Sequence, residues 1–232
     1  MAAERSRRRL LPLAALGLGA AALLTAIVFI AVGERGPAPP VEGADAVQRL
    51  FGGLEQDGDA LGSADAPISI SIFNDLQCTG CADYHLETVP ELVEDLVRPG
   101  NARLEFRHRS LGQKETTLAA QGATAAGEQD NQWQYVHLVF LNQEQVRTGG
   151  VTDEFLERVA EAVPGPEFDV AEWERDLDSP AVAARLESDA QTALDLRLTA
   201  APAVVVEGPG GTVELQESPS VAEIDAAIEE VE

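Results

Sequence analysis

Along the chain the apolar positions change period several times, and each change marks an element. Residues 10–32 form a run of 23 without a single charge. As a helix rising about 1.5 Å per residue, such a run crosses a hydrocarbon core of about 30 Å. In residues 33–53 the periodicity is lost. Gly36, Pro37, Ala38, Pro39 and Pro40 lie in this stretch, and its composition predicts an extended, poorly ordered linker. A folded domain is expected over residues 54–232. Ile68, Ile70 and Ile72 alternate with Ser69, Ser71 and Phe73, a strand signature. After Cys78, Thr79, Gly80 and Cys81, apolar residues recur at helical spacing: Leu86, Val89, Leu92, Val93, Leu96 and Val97. Pro90 is expected to kink this helix, and Pro99 with Gly100 to stop it. Ala102, Leu104 and Phe106 then alternate with Arg103, Glu105 and Arg107, a second strand. Strand, helix, strand is a βαβ unit.

Residues 113–196 read as helical. Trp133, Val136, His137, Phe140 and Leu141 make one stripe. Thr152 caps a helix that buries Phe155, Leu156 and Val159. Ser179 and Pro180 are the N-cap and first residue of another, which buries Val182, Leu186, Ala193 and Leu194. Residues 203–207 and 212–216 read as short strands around a turn at Gly208, Pro209, Gly210 and Gly211. Ser220 with Glu223 forms a capping box for a last helix that buries Ile224, Ala227, Ile228 and Val231. The fold class is α/β: the βαβ and ββα halves of a thioredoxin fold, with a helical subdomain inserted at about residues 113–196.

Charge adds location and removes one class of partner. The chain carries 16 Lys and Arg against 40 Asp and Glu, net −24, a surface that repels nucleic acid. Arg5, Arg7, Arg8 and Arg9 precede the uncharged run. Positive charge on that side keeps residues 1–9 in the cytoplasm and places the rest outside. The apolar part of a cleaved secretory signal is usually only about 7–15 residues, so an uncleaved single-pass membrane anchor is expected. A cleaved signal is the rival, with Ala31, Val32 and Gly33 as a loose small-x-small site. Either way the cysteines lie outside the cytoplasm, where disulfides persist.

Cys78 and Cys81 are the only cysteines. A domain of this size buries a core without staples, and so short a loop removes little unfolded-state entropy. The pair therefore reads as a reagent. Placed after a strand and opening a helix, the first sulfur meets free backbone N–H groups and the positive end of the helix dipole, which stabilise a thiolate. Cys78 is the expected attacking thiolate and Cys81 the resolving partner, exchange passing through a mixed disulfide on Cys78. The competing readings are an inert disulfide and half of a metal site. Only His85, His108 and His137 are available to join the cysteines as ligands, and their spacing is not that of a zinc finger. His137 falls on an apolar stripe and reads as a core histidine; His85 reads as a surface one. Pro202, directly before the strand at 203, suits a strand's first position, and X-Pro bonds are the ones that can be cis.

Taken together, these residues resemble the DsbA-like thioredoxin family. The matching residues are Leu61, Gly62, Ala66 and Pro67 before the strand, Phe73 to Cys78 as FNDLQC, and Pro90, Glu91 and Leu92. Gln132, Trp133, Asn142, Gln143 and Gly150 resemble the family's inserted helical region, and Ala200 to Ala203 its cis-proline loop. The resemblance implies a cis Pro202 packed against the disulfide. It implies that Ala201 offers its backbone to an extended substrate, and that Thr79 and Gly80 set the redox poise. It implies no cofactor beyond the redox-active disulfide. Three departures stand out. The family commonly carries Pro and then an aromatic or His between its cysteines, where this chain has Thr79 and Gly80. It often carries a buried acid six residues before the first cysteine, where Ile72 stands here, and Thr or Val before the proline, where Ala201 stands.

The expected function is a membrane-anchored oxidoreductase that oxidises cysteine pairs in exported client proteins and is recycled by a membrane redox partner. The alternatives are a reductase or isomerase using the same site, and a copper or zinc chaperone using the two thiols with His85.

Overall fold

The computed structural model describes residues 38–109, 114–165 and 167–232. The expected anchor at 10–32 and its basic flank lie outside them. Among the described residues no helix is long and apolar enough to cross a membrane.

A six-stranded mixed sheet organises the chain. In sequence order its strands are β1 (Gln56–Asp57), β2 (Ala60–Leu61), β3 (Ile68–Asn74), β4 (Ala102–His108), β5 (Ala203–Gly208) and β6 (Gly211–Gln216). In space they run β1-β2-β4-β3-β5-β6. β3 and β4 are parallel, with Ile68 opposite Ala102 and Asn74 opposite His108, as the βαβ reading requires. β5 runs antiparallel to β3 and pairs Phe73 with Ala203. Both faces of β3 are covered, because Ile70 and Ile72 face one layer of helices while Phe73 packs with Ala193, Leu198, Ala203 and Val205 on the other.

The helices are α1 (Ala44–Phe51), α2 (Thr79–Leu92), α3 (Lys114–Gly127), α4 (Gln132–Leu141), α5 (Gln143–Gly149), α6 (Asp153–Ala162), α7 (Val170–Asp176), α8 (Pro180–Asp195) and α9 (Val221–Val231). Helix starts follow the caps read from the sequence. Thr152 accepts from Phe155 N–H, Ser179 from Val182 N–H, and Ser220 and Glu223 form a complete capping box. α4 is central: seven of its residues from Trp133 to Phe140 are fully or almost fully buried, and only its last, Leu141, emerges. Gly122 lets α3 approach it, since a Cβ there would lie 2.6 Å from the Tyr135 hydroxyl. Pro90 has no N–H for the carbonyl one turn back, and the helix runs on as a π-helical segment, Val93–Val97, rather than stopping.

Two expectations are corrected. The linker does not extend to residue 53, because Val47 and Phe51 of α1 are buried in the main core and the body of the molecule begins at Pro40. The segment is clamped: Asn142 accepts from Glu42 N–H at 3.0 Å and donates to Glu42 C=O at 2.9 Å. Leu194 does not join the apolar face of α8; it is 67 % exposed, while Val182 and Ala193 are buried.

Candidate active site

The chain leaves β3 at Asn74 and turns at once into α2. Asp75 makes the turn, its carbonyl accepting Cys78 N–H at 3.0 Å and its carboxylate accepting Gln77 N–H at 2.9 Å. Cys78 is the N-cap of α2: its sulfur accepts from Cys81 N–H at 3.2 Å and its carbonyl from Ala82 N–H at 3.0 Å. Thr79 and Gly80 form the tip of the turn between the cysteines, both exposed or nearly so. Both cysteines are free thiols; Cys78 is half-buried and Cys81 has no exposed surface. Burial pushes the Cys81 thiol well up from its ordinary value and Cys78 adds to the effect, while a backbone hydrogen bond from Asp75 works against it and the Asp75 charge works with it. The first turn of α2 holds no acidic side chain to offset the positive helix end beneath Cys78.

Ala201 and Pro202 come to the same end of the sheet. The register puts Ala203 opposite Phe73, so Pro202 sits where β3 runs out towards Cys78, and the Ala201–Pro202 bond is cis. Arg109 braces both approaches, giving its N–H to Asn74 C=O at 2.9 Å and its guanidinium to Leu198 C=O at 3.1 Å. Ser218 N–H donates to Pro202 C=O at 3.3 Å.

Below Cys81 the sequence reading needs correction. His85, one turn further along α2, is fully buried and not a surface residue. Its Nε2 lies 3.1 Å from Nδ1 of His137, which is a core histidine as expected. Trp133 stacks on the His85 ring, Phe140 lies 4.7 Å from it, and Phe51 meets His137 edge-on at 5.3 Å. Burial holds His85 well below its ordinary value, with His137 adding to the effect, and holds His137 at about 4. Among the described residues no group of three or more His, Cys, Asp or Glu could hold a metal ion. Ile72, where the family often has its buried acid, is a fully buried apolar side chain; Asp75, three residues before Cys78, is instead the buried carboxylate whose charge reaches Cys81. The sequence signal for it was present, an acid at the strand-to-helix turn, but nothing local shows that such a turn is covered.

A dithiol capping a helix at the end of the central parallel strand, with a cis-proline loop at the same end of the sheet, defines a thioredoxin-fold exchange protein. The model of the thioredoxin family matches residues 55–230, and the chain belongs to that family. Within it the chain is DsbA-like, a protein-disulfide oxidoreductase. The probable disulfide bond formation protein D of Bacillus anthracis is 26% identical over 151 residues, 64% of this chain and 69% of that one. The crystal structure of oxidised BdbD from Bacillus subtilis superimposes with a TM-score of 0.64 at 21% identity, covering 75% of this chain and 91% of that one. That of Chlamydia trachomatis DsbA gives 0.62 at 21% identity, covering 74% and 89%.

Proposed function

We propose that the chain oxidises cysteine pairs in exported proteins, outside the cytoplasm, through a disulfide between Cys78 and Cys81. The observation that carries this reading is the asymmetry of the pair: Cys78 is reachable at a helix tip, whereas Cys81 is sealed. A client thiolate then has one sulfur to attack. The attack forms a client–Cys78 disulfide and breaks the Cys78–Cys81 bond; the electron pair leaves on Cys81, which takes up a proton. The client's second thiolate attacks the client sulfur of the mixed disulfide and expels Cys78 as a thiolate at the N-terminus of α2. The client leaves with one disulfide, and two electrons remain on the pair. Stabilising the departing thiolate stabilises the reduced form, which makes the disulfide an oxidant.

The cis-proline loop supports a place for the client. Ala201 carries an extended client backbone beside the sulfurs, and Thr79 and Gly80 tune the poise. The uncharged run at 10–32 holds the domain at the cell membrane, near a membrane redox partner that takes the two electrons back. The bellwether measurement is the reduction potential of the purified chain in glutathione buffers. A value near about −120 mV is expected for an oxidase. A value near about −270 mV reverses the direction and makes the site a reductase.

A further inference from the structure

Beside the cysteine pair a cleft of about 300 Å³ opens between the first turns of α2 and the loop joining β6 to α9. Gly80, which lies between the cysteines, forms part of its lining, so whatever occupies the cleft lies against the exchange site. Asp83 and Glu87 stand four apart on α2, hence on one face, and both are exposed. No cation lines the cleft. Tyr84 contributes an aromatic surface and is 7% exposed. Its hydroxyl is buried beside Thr88, so the ring edge is what the cleft meets.

The opposite wall is residues 218–220. Glu217 and Ser218 both have left-handed backbones, φ 63° and 61°, and Ser218 N–H is tied to Pro202 C=O. The wall is thereby joined to the loop that carries the client. The larger cleft of the molecule, about 600 Å³, has no such character: it holds neither cysteine, and Arg107 and Arg185 on its wall are already paired with Asp59.

An aromatic edge overlooked by two carboxylates, with no cation in the lining, fits a side chain with an apolar stem and a cationic head. We propose that this cleft selects clients in which an arginine or lysine flanks the reactive cysteine. The proposal rests on the oxidoreductase reading and names the substrate class of that same site. The stem lies on Tyr84, and the head group reaches Asp83 and Glu87.

A chain of net charge −24 attracts any basic peptide, so the test must separate the cleft from the general field. Three dithiol peptides, identical except for Arg, Gln or Glu beside the first cysteine, are oxidised by the purified full-length chain in its disulfide form. The Arg peptide is expected to react about fivefold faster than the Gln peptide at low ionic strength, with the advantage shrinking as salt is added. The pair Asp83→Asn and Glu87→Gln is expected to remove most of that ratio. The charge-matched pair Glu174→Gln and Asp178→Asn, on and just after α7, is expected to keep it. Equal rates for the Arg and Gln peptides overturn the selection alone, as does a ratio that both double variants lower equally. Oxidation of none of the three peptides overturns the oxidoreductase reading, and the selection with it.

Discussion

On one sheet face three histidines are buried, His85 and His137 under α2 and α4 and His108 beside α3 and α8; on the other, Arg107 lies half-buried among three carboxylates. His85 and His137 pair inside an aromatic cage, and His108 lies 5.1 Å from the same Phe106 ring that His85 approaches. Burial keeps all three below their ordinary values, with His108 and His137 at about 4. On the other face Arg107 meets Glu105 at 2.6 Å, Asp59 at 3.1 Å and Asp189 at 3.3 Å. Arg103 and Arg185 add pairs to Glu105 and Asp59, and Ser69 and Ser71 donate to Glu105. Burial alone would raise the Glu105 carboxyl, but Arg107 and Arg103 bring it down to about 2. The difference follows from the side chains. An imidazole can enter a core by giving up its proton, whereas a guanidinium cannot and must bring counter-charges. Cys81 lies on the histidine side, so its surroundings are neutral except for Asp75.

Acid should separate the faces most strongly. Unfolded histidines protonate near 6.5, whereas folded His108 and His137 stay neutral down to about 4. Between those values the unfolded chain binds protons that the native chain refuses, so stability is full above 6.5 and falls as pH drops towards 4. Each of these histidines costs about 1.4 kcal/mol per pH unit in that window. Glu105 stays ionised throughout it and loses its contribution only between 4.5 and about 2. Denaturant unfolding at a series of pH values reads both windows; a flat profile from pH 7 to 4.5 would break the comparison.

Next in size is Arg107→Met, which leaves three covered carboxylates short of their common partner and is expected to cost about 3–5 kcal/mol at pH 7. A loss under about 1 kcal/mol would mean that the network is held by Arg103 and Arg185 instead. Smallest is Ser71→Ala, which removes one hydrogen bond to Glu105, with an expected loss of about 1 kcal/mol by the same measurement.

How legible each part was depends on how far its cause lies along the chain. The exchange site could be read because strand, turn, cap and both cysteines fall within residues 68–81, and each signal is local. The capping residues Thr152, Ser179 and Ser220 were legible for the same reason. The histidine pair was not: His85 looks like a helix-surface residue until His137, 52 positions away, is packed against it. Asp189 reaches Arg107 across 82 positions, which no periodicity reveals. α1 was hidden by the proline-rich stretch before it. Val47, Leu50 and Phe51 nevertheless have helical spacing, and they lie in or against the core. Leu194 followed the apolar period of α8 and still faces water, because at that end of the helix it is the neighbouring Ala193 that turns onto the sheet's apolar cluster.

The enclosure of the histidines has a consequence for how the molecule meets reactive chemistry. The chain has three imidazoles and all are inside; it has a single lysine, Lys114. Electrophiles that seek nitrogen find few targets on the folded surface. The half-exposed sulfur of Cys78 is therefore left with little competition, and the folded protein is chemically quiet almost everywhere except where sulfur is meant to meet sulfur.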